Sequence, residues 1–284
     1  MSYSCQTLAL EGANMSLQAI ILAAGDGTRL RPYTEILPKP MLRVGQDLYQ
    51  GTLLGKNRQE QERFVFEYNV KQKGKPILRF TLEGLDSLGL RNVRIVVGHL
   101  GDKIKEYFGK RFGNLNIEYV VQEEQKGTAH ALLQAKSSGK NAKGRILCMM
   151  GDNIYPIESI KECLKHSYSI LAQEVEDHKE FGILSINNGY INEIIEKPDK
   201  FISNLANTGL YVLPNDIFTV LATLEQNPKR KELELTDAVN ILIDKLAKKG
   251  TRVQYVKAQK DSCIFVSRPV DLVHASMKLA QQNP

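Results

Sequence analysis

Two stretches of this chain set phosphate-handling residues at useful spacings. The first is Leu22-Ala23-Ala24-Gly25-Asp26-Gly27-Thr28-Arg29-Leu30-Arg31-Pro32, followed by Pro38-Lys39-Pro40-Met41. Gly25 and Gly27 let the backbone approach a ligand closely and turn its N–H groups toward it. Arg29 and Lys39 add fixed positive charge, so the string describes a cradle for a polyphosphate. It is not the dinucleotide fingerprint, because the third glycine is missing, and not a Walker A loop, because no Gly-Lys-Ser/Thr follows. The second stretch is Gly151-Asp152-Asn153, directly after the apolar run RILCMM. An aspartate alone could cap a turn there. Beside a polyphosphate cradle, Asp152 reads as a Mg²⁺ ligand, since magnesium commonly takes one or two carboxylates and completes its shell with phosphate oxygens.

These residues need a scaffold that brings loop ends together. Gln18–Ala24 is a continuous apolar run ending in glycine, the pattern of a strand buried on both faces. From Pro76 onward the pattern alternates. Helices are expected over Pro76–Leu88, Asp102–Phe108, Thr128–Ala135 (with Thr128 as its N-cap) and Ile157–Ser169. Strands are expected over Asn92–Gly98, Asn116–Gln122 and Arg145–Met150. The second half adds strand pairs Phe181–Asn187 and Tyr190–Lys197 around an Asn188-Gly189 turn. A strand over Asn207–Leu213 follows, then helices over Asp216–Leu224 and Thr236–Lys249, a strand over Arg252–Lys257 and a closing helix over Val270–Gln281. This order predicts an α/β fold of three layers, a doubly wound, mixed but mostly parallel sheet of Rossmann-like type. Such sheets place ligands at the carboxyl ends of their strands, where Gly25 and Asp152 fall.

Composition narrows the function. The 284 residues are 42% apolar and 25% charged, which suits a globular chain. A net charge of +6 fits an anionic ligand but is too small and too evenly spread for nucleic acid, and no aromatic–basic interleaving marks a stacking surface. Cys5, Cys148, Cys163 and Cys263 have no metal-type spacing and read as reduced thiols. No apolar run is long enough to span a bilayer and no secretory leader is apparent, so a cytoplasmic protein is the expectation. Residues 1–14 read as an extension ahead of Met15, and 15–284 as one catalytic domain.

The ordered motifs resemble those of the sugar-1-phosphate nucleotidylyltransferases, in particular the glucose-1-phosphate thymidylyltransferase and N-acetylglucosamine-1-phosphate uridylyltransferase branches. The cradle string carries the resemblance first. Gln122-Glu123-Glu124-Gln125-Lys126-Gly127-Thr128-Ala129-His130-Ala131 is similar to the base-reading segment, and Gly151-Asp152-Asn153 to the metal motif. Phe181-Gly182, Glu196-Lys197-Pro198 and Asn207-Thr208-Gly209 are similar to the sugar stations, and Glu232-Leu233-Glu234-Leu235-Thr236-Asp237 to the late acidic motif. The resemblance covers residues 18–44 and 75–284. It implies the reaction NTP + hexose-1-phosphate → NDP-hexose + pyrophosphate, with UTP or dTTP as nucleotide and glucose-1-phosphate or N-acetylglucosamine-1-phosphate as sugar. Leu22, Ala24, Gly25, Gly27, Thr28, Arg29, Lys39, Gln122, Gly127 and Thr128 would bind the nucleotide. Gly182, Glu196, Lys197, Asn207 and Thr208 would bind the sugar phosphate. Arg29 would stabilise the leaving pyrophosphate, Lys39 would contact the nucleotide phosphates, Lys197 would orient the attacking phosphate, and Asp152 would hold Mg²⁺ between the two substrates. The Gln122 amide complements O4 and N3–H of uracil or thymine; a flipped amide would accept cytosine, so discrimination there is expected to be weak. The histidines, His130 included, read as structural or solvent-facing. The partners are therefore an NTP and a hexose-1-phosphate, with a homo-oligomer as a further possibility and neither nucleic acid nor membrane.

Two departures from the family pattern stand out. Phe265 occupies the position at which a second metal carboxylate is expected, which leaves Asp152 with the phosphates, or brings in Asp261 through a shifted loop, or lowers activity. A polar segment at about 45–74 separates Val44 from Lys75, and within it Phe64, Phe66 and Tyr68 would share one face of a strand. It reads as a surface excursion or as an ordered flap. No hexapeptide repeat follows the last helix, so no appended β-helix is expected. Phe265 and the insertion motivate an alternative, a non-catalytic sugar-nucleotide-binding regulatory subunit of the same fold.

Overall fold

The computed structural model describes residues 16–53, 57–136 and 144–282; the extension expected over 1–14 lies outside them. The chain opens with strand β1 (Leu17–Ala23), the short helix α1 (Tyr33–Ile36) and β2 (Arg43–Val44). Helices α2 (Gln46–Leu53) and α3 (Arg58–Val70) come next, then β3 (Lys75–Pro76), α4 (Ile77–Ser87), β4 (Asn92–Val97), α5 (Gly101–Phe108), β5 (Arg111–Phe112) and β6 (Leu115–Val121). The middle of the chain forms α6 (Thr128–Gln134), β7 (Arg145–Met150), β8 (Asn153–Ile154), α7 (Ile157–Leu164) and β9 (Ser169–Glu174). The last part forms β10 (Gly182–Asn187), β11 (Tyr190–Glu196), β12 (Leu205–Pro214), α8 (Ile217–Leu221), α9 (Leu235–Lys248), β13 (Gln254–Lys257), β14 (Ile264–Phe265) and α10 (Pro269–Gln282).

Among the described residues, ten strands make one sheet, in the order β11-β10-β12-β7-β1-β4-β6-β5, with β9 paired to β12 and β13 paired to β9. The centre is parallel: β1 lies between β4 and β7, and β4 pairs with β6. β12 runs antiparallel to β7, from Leu210 opposite Met149 to Pro214 opposite Arg145. Alternate residues of β1 feed two cores. Ala19 and Ile21 join a cluster with Leu78, Leu85, Ile95, Leu147 and Leu272, while Ile20 and Leu22 join one with Leu132, Val96, Cys148, Val239 and Leu242. Helices cover both faces, which is why the central strands carry continuous apolar runs rather than alternating ones.

Several elements differ from the sequence expectation. The helix expected over Ile157–Ser169 stops at Leu164. Buried Arg145 donates to the carbonyls of Leu164 and His166, and Ser169 donates to Cys163, so distant side chains satisfy the helix end and release the chain into β9. Thr128 is not the cap of α6. Gly127 holds that position, and the Thr128 hydroxyl accepts the Leu235 amide at the start of α9.

The 45–74 segment is helical, not a strand. Phe64 and Tyr68 are one helical turn apart on α3, with Tyr68 and Val65 buried, while the Phe66 ring meets Tyr33 edge-on at 5.5 Å. Gly51 on α2 receives the Phe64 ring so closely that a β-carbon would overlap it. Arg43 stitches the far end of the segment, donating from its backbone to Asn69 Oδ1 (2.7 Å) and from its guanidinium to Gly74 O (2.9 Å) and Gln72 Oε1 (3.2 Å).

Candidate active site

The carboxyl ends of β1 and β7 open on a cavity of about 410 Å³. Every residue assigned to nucleotide binding from the sequence lines it: Leu22, Ala24, Gly25, Gly27, Thr28, Arg29, Lys39, Gln122, Gly127 and Thr128. Asp152 lines it as well.

The cradle has a specific local build. Gly27 has φ 62°, in the left-handed region, and its carbonyl accepts from Leu30 N (2.8 Å) and Thr34 Oγ1 (2.9 Å). Tyr33 anchors the next turn, donating its hydroxyl to Glu62 O at 3.1 Å, so α3 of the inserted segment braces the loop from behind. Burial, with Glu62 nearby, pushes the Tyr33 hydroxyl up to about 12. Opposite the loop, Gln125 donates to Ala24 O at 2.6 Å, packed so tightly on Gly98 that a β-carbon there would lie 2.6 Å from the same carbonyl. Gln125, Met150, Glu232 and Ser267 also line the cavity and were not singled out in the sequence. Of these, Gln125 and Glu232 lay inside motifs already quoted, which was the available signal.

Asp152 pairs with the Lys39 ammonium, both side chains less than a third exposed. The basic residue of one motif and the acidic residue of another, 113 positions apart, thus meet in the cavity lining. Tyr155 OH accepts from Met150 N and Asn153 Nδ2 and donates to Thr208 O, fixing the turn that carries Asp152.

The residues assigned to the sugar phosphate lie beside this cavity rather than in its lining. Gly182 pairs with Glu196 across β10 and β11, and exposed Lys197 follows at φ 46° with its amide donating to Phe181 O. Glu196 meets Arg230 at 3.4 Å, and Arg230 also holds Glu234 at 3.1 Å. Burial raises the Glu196 carboxyl above its ordinary range, partly offset by Arg230. At the start of β12 the side chains of Asn207 and Thr208 are engaged internally. Asn207 donates to Tyr211 OH (2.6 Å) and accepts from Gly209 N (3.1 Å), and the buried Thr208 hydroxyl donates to Leu171 O (2.8 Å). Asn153 Nδ2 reaches Thr208 O at 3.2 Å, linking this group to the turn after Asp152.

The donor set admits a metal of limited appetite. Among the described residues no group of three or more His, Cys, Asp or Glu side chains is placed to hold an ion. Phe265 on β14 pairs with Asn153 on β8, and its ring contacts Phe181 at 5.6 Å, so the position facing the Asp152 turn is apolar. Asp261 lines a separate cavity with Cys263, Phe265 and His274, away from the cradle. Asp26, Asp152 and Glu232 line the cradle cavity without forming a three-ligand group, and Asp152, beside Lys39, is the carboxylate offered to a metal. That fits Mg²⁺ completing its shell from phosphate oxygens and water, and does not fit an ion needing an all-protein cage. Cys148, Cys163 and Cys263 are free and buried, with thiols pushed up to about 12 by burial, so none is a nucleophile at neutral pH.

A glycine turn and a paired Lys–Asp thus stand at the open end of a mostly parallel α/β sheet. The nucleotidyl transferase family model matches residues 18–66 and 67–259, and the chain belongs to that family. It is 36% identical over 233 residues to "Bifunctional protein GlmU" of Methanococcus maripaludis, a match covering 80% of this chain and 47% of that protein. The chain thus spans about half the length of that relative. It is 32% identical over 236 residues to "UTP--glucose-1-phosphate uridylyltransferase AglF" of Haloferax volcanii, covering 80% of this chain and 84% of the relative. Among solved structures, a putative glucose-1-phosphate thymidylyltransferase from Bacillus anthracis superposes with a TM-score of 0.70 at 26% identity, covering 95% of this chain and 97% of that one. A UDP-glucose pyrophosphorylase shares the fold with a TM-score of 0.71 at 21% identity, covering 95% and 100%. No helix among the described residues is long and apolar enough to cross a membrane.

Proposed function

We propose that the chain is a sugar-1-phosphate nucleotidylyltransferase, taking UTP or dTTP and a hexose-1-phosphate to an NDP-sugar and pyrophosphate. Glucose-1-phosphate is the sugar in the printed name of the Haloferax volcanii relative, and N-acetylglucosamine-1-phosphate is that of the family branch whose base-reading segment Gln122–Ala131 resembles. The observation that carries this reading is the single cavity gathering Gly25, Gly27, Arg29, Lys39, Gln122, Gly127 and Asp152. A phosphate oxygen of the sugar attacks the α-phosphorus, the α–β bridging bond breaks, and pyrophosphate leaves with the electron pair. No covalent enzyme intermediate is needed, and catalysis rests on positioning and charge neutralisation. Gly25 and Gly27 shape the phosphate cradle, Arg29 faces the leaving pyrophosphate, and Lys39 contacts the nucleotide phosphates. Lys197 orients the sugar phosphate, while Glu196 and Gly182 with Asn207 and Thr208 shape the sugar side. Asp152 would hold Mg²⁺, which supplies positive charge to the phosphate oxygens when bound. The three inert buried thiols suit a reducing, cytoplasmic setting.

The reading is tested by a magnesium-dependent pyrophosphate-release assay across a panel of nucleotides and hexose-1-phosphates. Turnover with UTP or dTTP supports it. Phe265 and its contact with Phe181 favour one competing reading, a regulatory subunit that binds sugar nucleotides without turning them over. Nucleotide-sugar binding without pyrophosphate release from any pair would establish that alternative, and Phe265→Asp would then be expected to restore some release.

A further inference from the structure

His130 has no task in the chemistry above, yet it touches the residue assigned to the base. Gln122 is 3% exposed and lines the cavity. Its Nε2 donates to Gly127 O at 3.1 Å and lies 3.0 Å from His130 Nδ1. A carbonyl oxygen can only accept, so Gly127 O dictates which end of the amide is nitrogen. That nitrogen then needs an acceptor at His130 Nδ1, which requires a neutral imidazole with its proton on Nε2. The Gln134 amide nitrogen lies 3.0 Å from His130 Nε2, and on this exposed side chain the amide can turn end for end to present its oxygen to that N–H. The backbone also holds the arrangement in place. Gly127 sits at φ 105°, and a β-carbon there would lie 2.5 Å from Leu233 O. With both Nε2 hydrogens committed to protein, Oε1 is the amide atom left for a ligand.

We propose that His130 is a positioning residue for base choice. By accepting from Gln122 Nε2, it holds Gln122 Oε1 ready to accept N3–H of uracil or thymine. Cytosine N3 carries no hydrogen, so the held amide offers it no donor, and the flip that would admit cytosine is opposed at two points, Gly127 O and His130 Nδ1. The weak discrimination expected from a freely turning glutamine is thereby sharpened. This inference rests on the nucleotidylyltransferase reading above.

The test measures kcat/KM for UTP and for CTP with one hexose-1-phosphate in the wild type, His130→Phe and His130→Asn. Phenylalanine fills the space without an acceptor; asparagine can return an oxygen near the Nδ1 position. The UTP-to-CTP ratio is expected to fall about fivefold in His130→Phe, the worth of one neutral hydrogen bond, and to stay near wild type in His130→Asn. A purely structural role would lower both nucleotides together, so an unchanged ratio in His130→Phe overturns the proposal. Nitrogen-15 spectra of histidine-labelled wild-type protein give a second measurement that does not depend on how the variants fold. An unprotonated Nδ1 on His130 is expected, and a protonated Nδ1 overturns the proposal. Absence of pyrophosphate release by the wild type with any nucleotide is a distinct result, because it removes the underlying reading as well.

Discussion

Gly25 and Gly27 lie two residues apart in the same cradle, and the structure separates what each does. Gly27 has φ 62°, and a β-carbon on it would lie 2.7 Å from the Thr34 methyl and 3.3 Å from Lys39 Cβ. Thr34 is buried and its hydroxyl is tied to Gly27 O, so the methyl cannot swing aside. Alanine at 27 therefore meets a left-handed backbone cost of about 1–2 kcal/mol. Crowding in a filled site adds about 1 kcal/mol, for a total of about 2–3 kcal/mol. At about 2–4 °C per kcal/mol for a chain somewhat shorter than this one, Tm should drop by about 4–12 °C. Gly25 has no unusual φ, and a β-carbon there meets nothing within 4 Å. Gly25→Ala should therefore leave Tm within about 2 °C, because surface-like changes stay within about 0.5 kcal/mol. Since Gly25 lines the cavity, its new methyl takes up ligand space, and KM for the nucleotide should rise about tenfold or more. Differential scanning fluorimetry and steady-state kinetics on the two variants decide the matter. A Gly27→Ala protein as stable as wild type, or a Gly25→Ala protein that loses stability while binding nucleotide normally, would refute the reasoning.

Further outcomes are expected elsewhere in the site. Arg29→Ala should lower kcat/KM about 100-fold or more, the usual scale for removing a charge that faces developing negative charge, and a variant at wild-type kcat/KM would count against the role given to it. Burial holds the Glu196 carboxyl above the ordinary range, so the folded chain keeps that proton to higher pH than the unfolded chain, and stability is lost as pH rises from the unfolded to the folded value. Glu196→Gln should flatten that part of a urea-stability profile against pH, and superimposable slopes for the two proteins would contradict the assignment. Phe66→Ala should cost about 2 kcal/mol in urea unfolding, because the ring is half-buried against Tyr33. It should also raise nucleotide KM through the loosened Tyr33 turn, and wild-type stability would show that α3 does not brace the cradle.

The parallel strands were legible in the sequence because burial on both faces writes itself as uninterrupted apolar runs, as in Gln18–Ala24 and RILCMM. The Asn188-Gly189 turn was legible because both residues take positive φ, at 50° and 79°. The end of α7 was not, because the groups that stop it, Arg145 and Ser169, come from other elements. Phe64-Val65-Phe66-Glu67-Tyr68 alternates like a strand, yet the segment folds as α3. Asn57 caps its first turn, accepting from Glu60 N, and ion pairs run along its exposed side from Arg58 to Glu62 and Arg63 to Glu67. Of the site, the cradle and Asp152 could be read from residue type and order. The Lys39–Asp152 pair could not, since no local pattern links positions 113 apart. The internal engagement of Asn207 and Thr208 was equally hidden, because a motif names a side chain without saying where its hydrogens go.

β12 runs against β7 and β1, so its first residues arrive at the rim where those strands finish. A sheet wound in one direction throughout would have only chain exits along that rim, and any second set of contacts would have to come from long excursions. One reversed strand instead delivers Asn207-Thr208-Gly209 from the sheet itself, with Asn207 paired to Ala172 of β9 and Thr208 O held by Asn153 beside the Asp152 turn. On the function proposed above, the sugar side would be carried by a strand of the sheet and the nucleotide side by the turns that end its neighbours.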